Sequence, residues 1–281
     1  MRIHHLNCGC MCPWGGRLMD GVSRGVTGQL VCHCLLVETD QGLVLVDTGF
    51  GTRDVERPYE RLSPFFIHFN RIQFEHRYTA LEQVRSCGFS PRDVRHIVLT
   101  HLDFDHAGGL EDFPEARVHV LQPEAEVAQQ RHGFIQRRRY RPDQWDGVHD
   151  WRFYRGGGER WFGFEAVRDL DGLPPEILMV PLPGHTVGHA GIAIDTPDGW
   201  LLNAGDAYFY RHEMDAEPRC TPGLAAYQRM MEMDRPTRLH NQERVRALAN
   251  DRRAGVRVFC SHDAVELEAL SRLNSGWRPL G

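Results

Sequence analysis

THLDFDHAGGL, residues 100–110, sets His101, Asp103, Asp105 and His106 within six positions, directly after the apolar run HIVLT (96–100). Two imidazoles and two carboxylates so close together are a donor set for a divalent ion, since neutral imidazole suits zinc and carboxylate oxygen suits harder ions. A short apolar run bounded by polar residues reads as a strand. The motif therefore falls on a loop that a strand end holds in place, where a rigid sheet can fix geometry and leave the side chains accessible.

Three further stretches repeat this arrangement. PGHTVGH (183–189) follows EILMVPL (176–182), NAGDAY (203–208) closes WLLNAGD (200–206), and FCSHD (259–263) ends the run VRVFCSH (256–262). Each places one His or Asp after an apolar run: His185, Asp206 and His262. A single histidine at a strand end is more often a satisfied polar residue than a ligand. Seven such donors at four strand ends read as a metal site.

The intervening chain supplies alternating strands and helices. LVCHCLLVET (30–39) and GLVLVDTG (42–49) flank the turn-like DQG and predict a hairpin. TALEQVRSCG (79–88) opens with Thr79 and Glu82 at capping-box spacing and ends in Gly88, which predicts a helix. VHVLQ (118–122) reads as a strand, PEAEVAQQR (123–131) as a helix with proline in its first turn, and GIAID (191–195) as another strand. Two helices are expected near 222–234 and 241–253. Between the 123–131 helix and the run at 176–182 lies the longest irregular stretch, about 132–165, with Tyr140, Trp145, Trp151, Trp161 and Phe162. It is expected to be a substrate-facing insertion, and its basic run QRRRYRPDQW (136–145) reads as a solvated face.

Composition restricts the partners. The 281 residues are 41% hydrophobic and 25% charged with a net charge of -5, as in a soluble globular chain. The negative balance argues against nucleic acid or an anionic membrane as a partner. No apolar run approaches ~18 residues, and MRIHHLNCGC has no secretory pattern, so a cytoplasmic location is expected. The eight cysteines form no CxxC pair and read as buried free thiols of a reducing compartment. With no repeat or low-complexity linker, residues 1–281 read as one domain acting on a small molecule, and a homo-oligomer is compatible with this.

The order and spacing of the seven donors resemble the metallo-β-lactamase fold superfamily, whose signature is HxHxDH followed at long range by His, Asp and His. The resemblance runs from the DTG at 47–49 to His262. It implies an α/β fold, a four-layer αββα sandwich, with two divalent metal ions at one edge. Carried onto this chain, it assigns His101, Asp103 and His185 to one ion, Asp105, His106 and His262 to the other, and Asp206 to both. Asp47 would orient ligands, as would His189. Zinc is the first expectation, with manganese or iron as alternatives. The implied activity is hydrolysis: a metal-bound hydroxide attacks an ester, lactone or thioester carbonyl. Asp105 and Asp206 would lie at the catalytic centre, and Tyr208 or Tyr210 would assist the oxyanion.

Two positions depart from the pattern. Asp103 stands where most of the superfamily has histidine. Its extra negative charge would make the site electron-rich and favour harder ions, and a carboxylate there also suits a di-iron redox or oxygen-activating protein, the alternative from another class. Quorum-quenching lactonases of this fold carry a tyrosine three residues after the bridging Asp, where this chain has Phe209.

Overall fold

Residues 1–167 and 169–272 are described by the computed structural model of the chain. Strands β1 (Arg2–Met11), β2 (Leu30–Thr39), β3 (Gly42–Val46), β4 (Ile72–Gln73), β5 (Val94–Val98), β6 (Arg117–Leu121) and β7 (Trp151–Tyr154) form a seven-stranded sheet in the order β4-β1-β2-β3-β5-β6-β7. A small hairpin of β8 (Arg160–Trp161) and β9 (Phe164–Glu165) follows. Strands β10 (Ile177–Pro181), β11 (Ala190–Thr196), β12 (Gly199–Asn203) and β13 (Val256–Phe259) then form a second sheet in that order.

The layering follows from the two-residue period of a strand. In β2 and β3, Leu35, Val37, Val44 and Val46 face the second sheet, where they meet Met179, Ile192, Ile194 and Phe259. Their neighbours Cys34, Leu36, Leu43 and Leu45 face outward. They pack with Ala80 and Val84 of the helix Ala80–Ser86 and Ala125 and Ala128 of the helix Gln122–Gln130. On the second sheet, Leu178, Val180 and Leu202 turn the other way, onto Val245 and Leu248 of the helix Arg235–Asn250. The result is helix, sheet, sheet, helix, the αββα sandwich that the family resemblance implied. Both faces of the central strands are apolar because both are covered, each buried Val or Leu contributing about 1.5–3 kcal/mol. The eight cysteines are free. No helix among the described residues is long and apolar enough to cross a membrane.

Two expectations differ from what is observed. The last long helix begins at Arg235, well before 241. Asp234 caps it, accepting from Thr237 N at 3.1 Å, and Pro236 sits in the first turn, where a missing N–H costs nothing. The stretch 132–165 is not a long irregular excursion. It contains the helix Gly133–Arg139, and β7 joins the large sheet as its edge, parallel to β6. Trp145 and Trp151 pack against the outer core of that sheet, and Trp161 is buried with Phe164 under the second sheet.

Candidate metal centre

Five strands run the same way and end at one edge of the sandwich. β3 is parallel to β5, β12 is parallel to β13, and β10 and β12 both run antiparallel to β11. After β3 comes Asp47, after β5 the 101–106 motif, after β10 His185, after β12 Asp206, and after β13 His262. The sheets are tied together at this edge by Ala190 N donating to Thr100 O (2.9 Å) and His33 N donating to Ser261 O (2.9 Å). Gly184 (φ 133) and Gly205 (φ 54) make the turns close enough: a Cβ on Gly184 would lie 2.4 Å from Arg238 Cα, and one on Gly205 2.5 Å from His189 Nε2.

All seven donors are buried and converge. Asp206 lies at the middle. Its Oδ2 faces His185 Nε2 (3.3 Å) and His101 Nε2 (3.8 Å), Oδ1 faces His106 Nε2 (3.4 Å), and His262 Nε2 lies near both, 3.1 Å from Oδ1 and 3.2 Å from Oδ2. Asp105 Oδ2 is 3.7 Å from His262 Nε2, and Cys32 lies near both of these residues. Burial opposes the charged form of Asp206, but His262, His106 and His185 outweigh it and hold its carboxyl well below the usual carboxylate range.

The rings are aimed from behind. His106 Nδ1 donates to Asp47 Oδ2 (2.9 Å), His262 Nδ1 donates to Val31 O (2.7 Å), and His101 Nδ1 lies 2.9 Å from Thr100 Oγ1. Asp47 also accepts from Thr100 N and Thr100 Oγ1, both at 2.8 Å. His189 stands outside the cluster, donating from Nδ1 to Leu182 O and accepting at Nε2 from Asp206 N, each at 2.8 Å. These contacts fix which nitrogen faces inward, the arrangement that a metal-ligating histidine needs. A divalent ion fits this donor set. His101 Nε2, His106 Nε2 and Asp206 Oδ1 are buried and have no hydrogen-bond partner, a cost that an ion among them would remove.

Three residues at the site escaped the reading of the sequence. Arg139, fully buried, donates from Nε to Asp103 Oδ1 (2.6 Å) and from Nη2 to Asp103 Oδ2 and His185 Nε2 (2.7 Å to the latter). The basic run is thus only partly a solvated face. Ile135 and Arg139, four apart on one helix, share an inward side, and Ile135 packs in the core; that spacing was the available signal. Glu124, also buried, accepts from Leu102 N (3.0 Å), Tyr140 Oη (3.2 Å), Thr186 Oγ1 (2.6 Å) and Gly188 N (3.1 Å), so one carboxylate joins the loops of the first and second motifs. Tyr227 lies in the helix Pro222–Met231 with its ring 5.7 Å from that of Phe209. Burial raises its hydroxyl pKa well above the ordinary value, helped by Asp105 and Asp206.

Two expectations are corrected. Tyr208 is fully buried in the core under the second sheet, and its hydroxyl donates to Glu266 Oε1 (2.9 Å), so it points away from the carboxylates and cannot serve an oxyanion there. Phe209 instead stacks on His262 at 5.0 Å and lies 5.7 Å from His185. The extra charge of Asp103 does not make the site electron-rich, because the guanidinium of Arg139 neutralises it. Burial works against the Asp103 carboxylate, but Arg139 and His101 keep it well below the usual range.

Comparison with known proteins places the family and the fold. The sequence profile of the Metallo-beta-lactamase superfamily matches residues 27–262. A probable metallo-hydrolase of Mycobacterium tuberculosis is 40% identical over 265 residues, 94% of this chain and 80% of the relative. An N-acyl homoserine lactonase of Bacillus cereus is 28% identical over 193 residues, 66% of each chain. Among solved structures, an N-acyl homoserine lactone hydrolase with N-hexanoyl-L-homoserine bound at its catalytic metal centre superposes with a TM-score of 0.70 at 21% identity, covering 95% of both chains. The dizinc quorum-quenching lactonase AidC gives 0.62 at 18% identity over 92% of this chain and 86% of that one.

Proposed function

Because the chain belongs to the metallo-beta-lactamase superfamily and is a metal-dependent hydrolase, we propose that it opens a lactone or related ester or thioester carbonyl of a small molecule at a centre for two divalent ions. The observation that carries this is Asp206, which stands among four imidazoles: Oδ2 faces His101 and His185, Oδ1 faces His106, and His262 lies near both oxygens. His101, Asp103 and His185 would hold one ion, and Asp105, His106 and His262 the other, with Asp206 shared. Zinc is the first candidate because four imidazoles contribute, with manganese or iron as alternatives. Bound divalent ions supply a Lewis acid for the carbonyl oxygen and a nucleophilic water near neutral pH.

The protein's own residues do the rest. Asp47 and Val31 O hold the imidazoles in one orientation, and Glu124 keeps the loops of His101 and His185 in register. Burial of every donor keeps the reacting centre in a poorly solvated surrounding, where fixed dipoles act strongly. Substrate preference is suggested by a file of rings running inward from the surface. Phe134 and Phe69 are exposed; Phe65 lies 5.6 Å from each, Phe69 stacks on Tyr227 at 6.0 Å, and Tyr227 meets Phe209. Such a file suits an apolar substituent beside the scissile carbonyl. In this reading the substrate-facing part of 132–165 is Phe134, and not Trp145 or Trp151. Free thiols favour the cytoplasm.

The test is a panel of N-acyl homoserine lactones of graded acyl length with simple esters and thioesters, assayed with zinc, manganese and iron each supplied. Metal-dependent turnover that improves with acyl length supports the proposal. Metal-loaded protein inactive on the whole panel, or an oxygen-reactive iron pair in its place, would sink it in favour of the di-iron redox alternative.

A further inference from the structure

The guanidinium of Arg139 occupies the acceptors that one of the two ions would need. Its Nη2 donates to His185 Nε2 at 2.7 Å and to Asp103 Oδ2, and its Nε donates to Asp103 Oδ1 at 2.6 Å. Nη1 is anchored on Met231 O (2.7 Å) and reaches His185 O (3.4 Å). The side chain is fully buried, so it is built into the site and is not a surface arginine that has folded inward.

The conflict is at one atom. A neutral imidazole nitrogen has a single lone pair, which either accepts an N–H or binds an ion. His185 Nε2 is the nitrogen turned toward Asp206, and Arg139 holds its lone pair. Both oxygens of Asp103 are engaged by the same guanidinium, in a two-pronged ion pair of the strong kind. On the other side of Asp206 the imidazoles meet carboxylates and not a guanidinium: His106 Nε2, like His101 Nε2, has no hydrogen-bond partner, His262 Nε2 lies 3.1 and 3.2 Å from the two oxygens of Asp206, and Asp105 is flanked by His262 at 3.7 Å.

We propose that Arg139 competes with a metal ion for His185 and Asp103, so that the chain holds one ion tightly on the His106–His262 side and admits a second only by displacing the guanidinium. This rests on the metal-dependent reading above and gives Asp103 its meaning. Aspartate in place of histidine is the anchor of a resident cation, and Arg139 sets the occupancy of this half of the centre through that anchor. Removing the guanidinium therefore raises the affinity for the second ion, the opposite of what a purely supporting arginine would do.

The experiment is a zinc titration against a chromophoric chelator, with folding followed by circular dichroism and unfolding curves. It compares the wild type, Arg139→Gln, and the double variant Asp103→His/Arg139→Gln, which exchanges the ion pair for a neutral imidazole. In the wild type the second ion should bind roughly tenfold or more weaker than the first, and both variants should narrow that gap. If Arg139→Gln fails to fold, the double variant and the wild-type isotherm decide. Two ions of equal affinity in the wild type, or a weakened second ion in a folded variant, would overturn the inference and leave the proposed hydrolysis standing. A wild type that binds no ion would overturn the metal reading itself.

Discussion

Asp47 Oδ2 accepts a hydrogen bond from His106 Nδ1 at 2.9 Å across 59 residues of sequence, which leaves His106 Nε2 facing Asp206 Oδ1 at 3.4 Å. Asp47 adopts a positive φ of 56°, a conformation that aspartate and asparagine tolerate better than other branched or bulky residues. Asp47→Asn should therefore keep the turn. It would also set an amide donor against His106 Nδ1 or Thr100 Oγ1, disturbing the ring's tautomer. Metal affinity should fall by about 10- to 100-fold, read by chelator competition. An unchanged affinity in a folded variant would remove Asp47 from the ligand-orienting role.

A second prediction concerns acid stability. His5 Nδ1 and His33 Nε2 lie 2.7 Å apart, buried beside Phe259. Burial, with repulsion from Arg257 and His4, pushes His5 down to about 4 from 6.5. The unfolded chain thus binds a proton that the folded chain refuses. Stability from this residue is complete above pH 6.5 and is lost as pH falls toward about 4, by roughly 3 kcal/mol at the lower end. His5→Asn should reduce the dependence in urea unfolding curves across that window and leave the part that the buried His33 and His119 contribute in the same direction. Parallel curves for the variant and the wild type would show that His5 is not the group responsible.

The sequence made the local part of this architecture legible and left the long-range part hidden. The apolar runs LVCHCLLVET and GLVLV predict a hairpin, and the fold places their alternate residues in two different cores. The seven donors are legible because each follows an apolar run within its own segment. Glu124 reads locally as a first-turn acid of a helix, yet its partners lie 16 to 64 residues away. Arg139 is masked by Arg137 and Arg138, and only the helical phase relative to Ile135 separates it from them. Tyr208 misled because adjacency to Asp206 says nothing about direction: after the turn at Gly205, the side chain enters the core and Phe209 takes the metal side.

Glu124 gives a third prediction. Its carboxylate accepts from four donors and is buried, and burial raises its pKa above the ordinary value, opposed by the bonds from Thr186 and Leu102. Glu124→Gln must turn an amide donor toward at least one of those donors, leaving a buried N–H or O–H unmatched. The loss should be about 1–3 kcal/mol for each orphaned group, seen in urea unfolding. Metal affinity should drop as well, because the loops carrying His101 and His185 share this anchor. A stability change within about 0.5 kcal/mol would mark Glu124 as an ordinary surface-like site.

The last prediction separates two tyrosines. Tyr227 Oη accepts from Asn70 Nδ2 at 3.3 Å, and the field of Asp105, Asp206 and Asp103, added to burial, keeps it protonated. A phenol that stays neutral there would be a donor available to a developing negative charge. Tyr208, whose hydroxyl donates to Glu266 in the core under the second sheet, has no such reach. Tyr227→Phe should lower kcat by roughly 10²-fold with KM little changed, the pattern of a contact made mainly in the transition state. Tyr208→Phe should cost about 1 kcal/mol of stability through its lost hydrogen bond and leave kcat within about threefold. Steady-state kinetics on the best substrate of the panel, paired with urea unfolding of both variants, makes the comparison. A larger loss of kcat in Tyr208→Phe than in Tyr227→Phe, at matched stability, would return the oxyanion role to Tyr208.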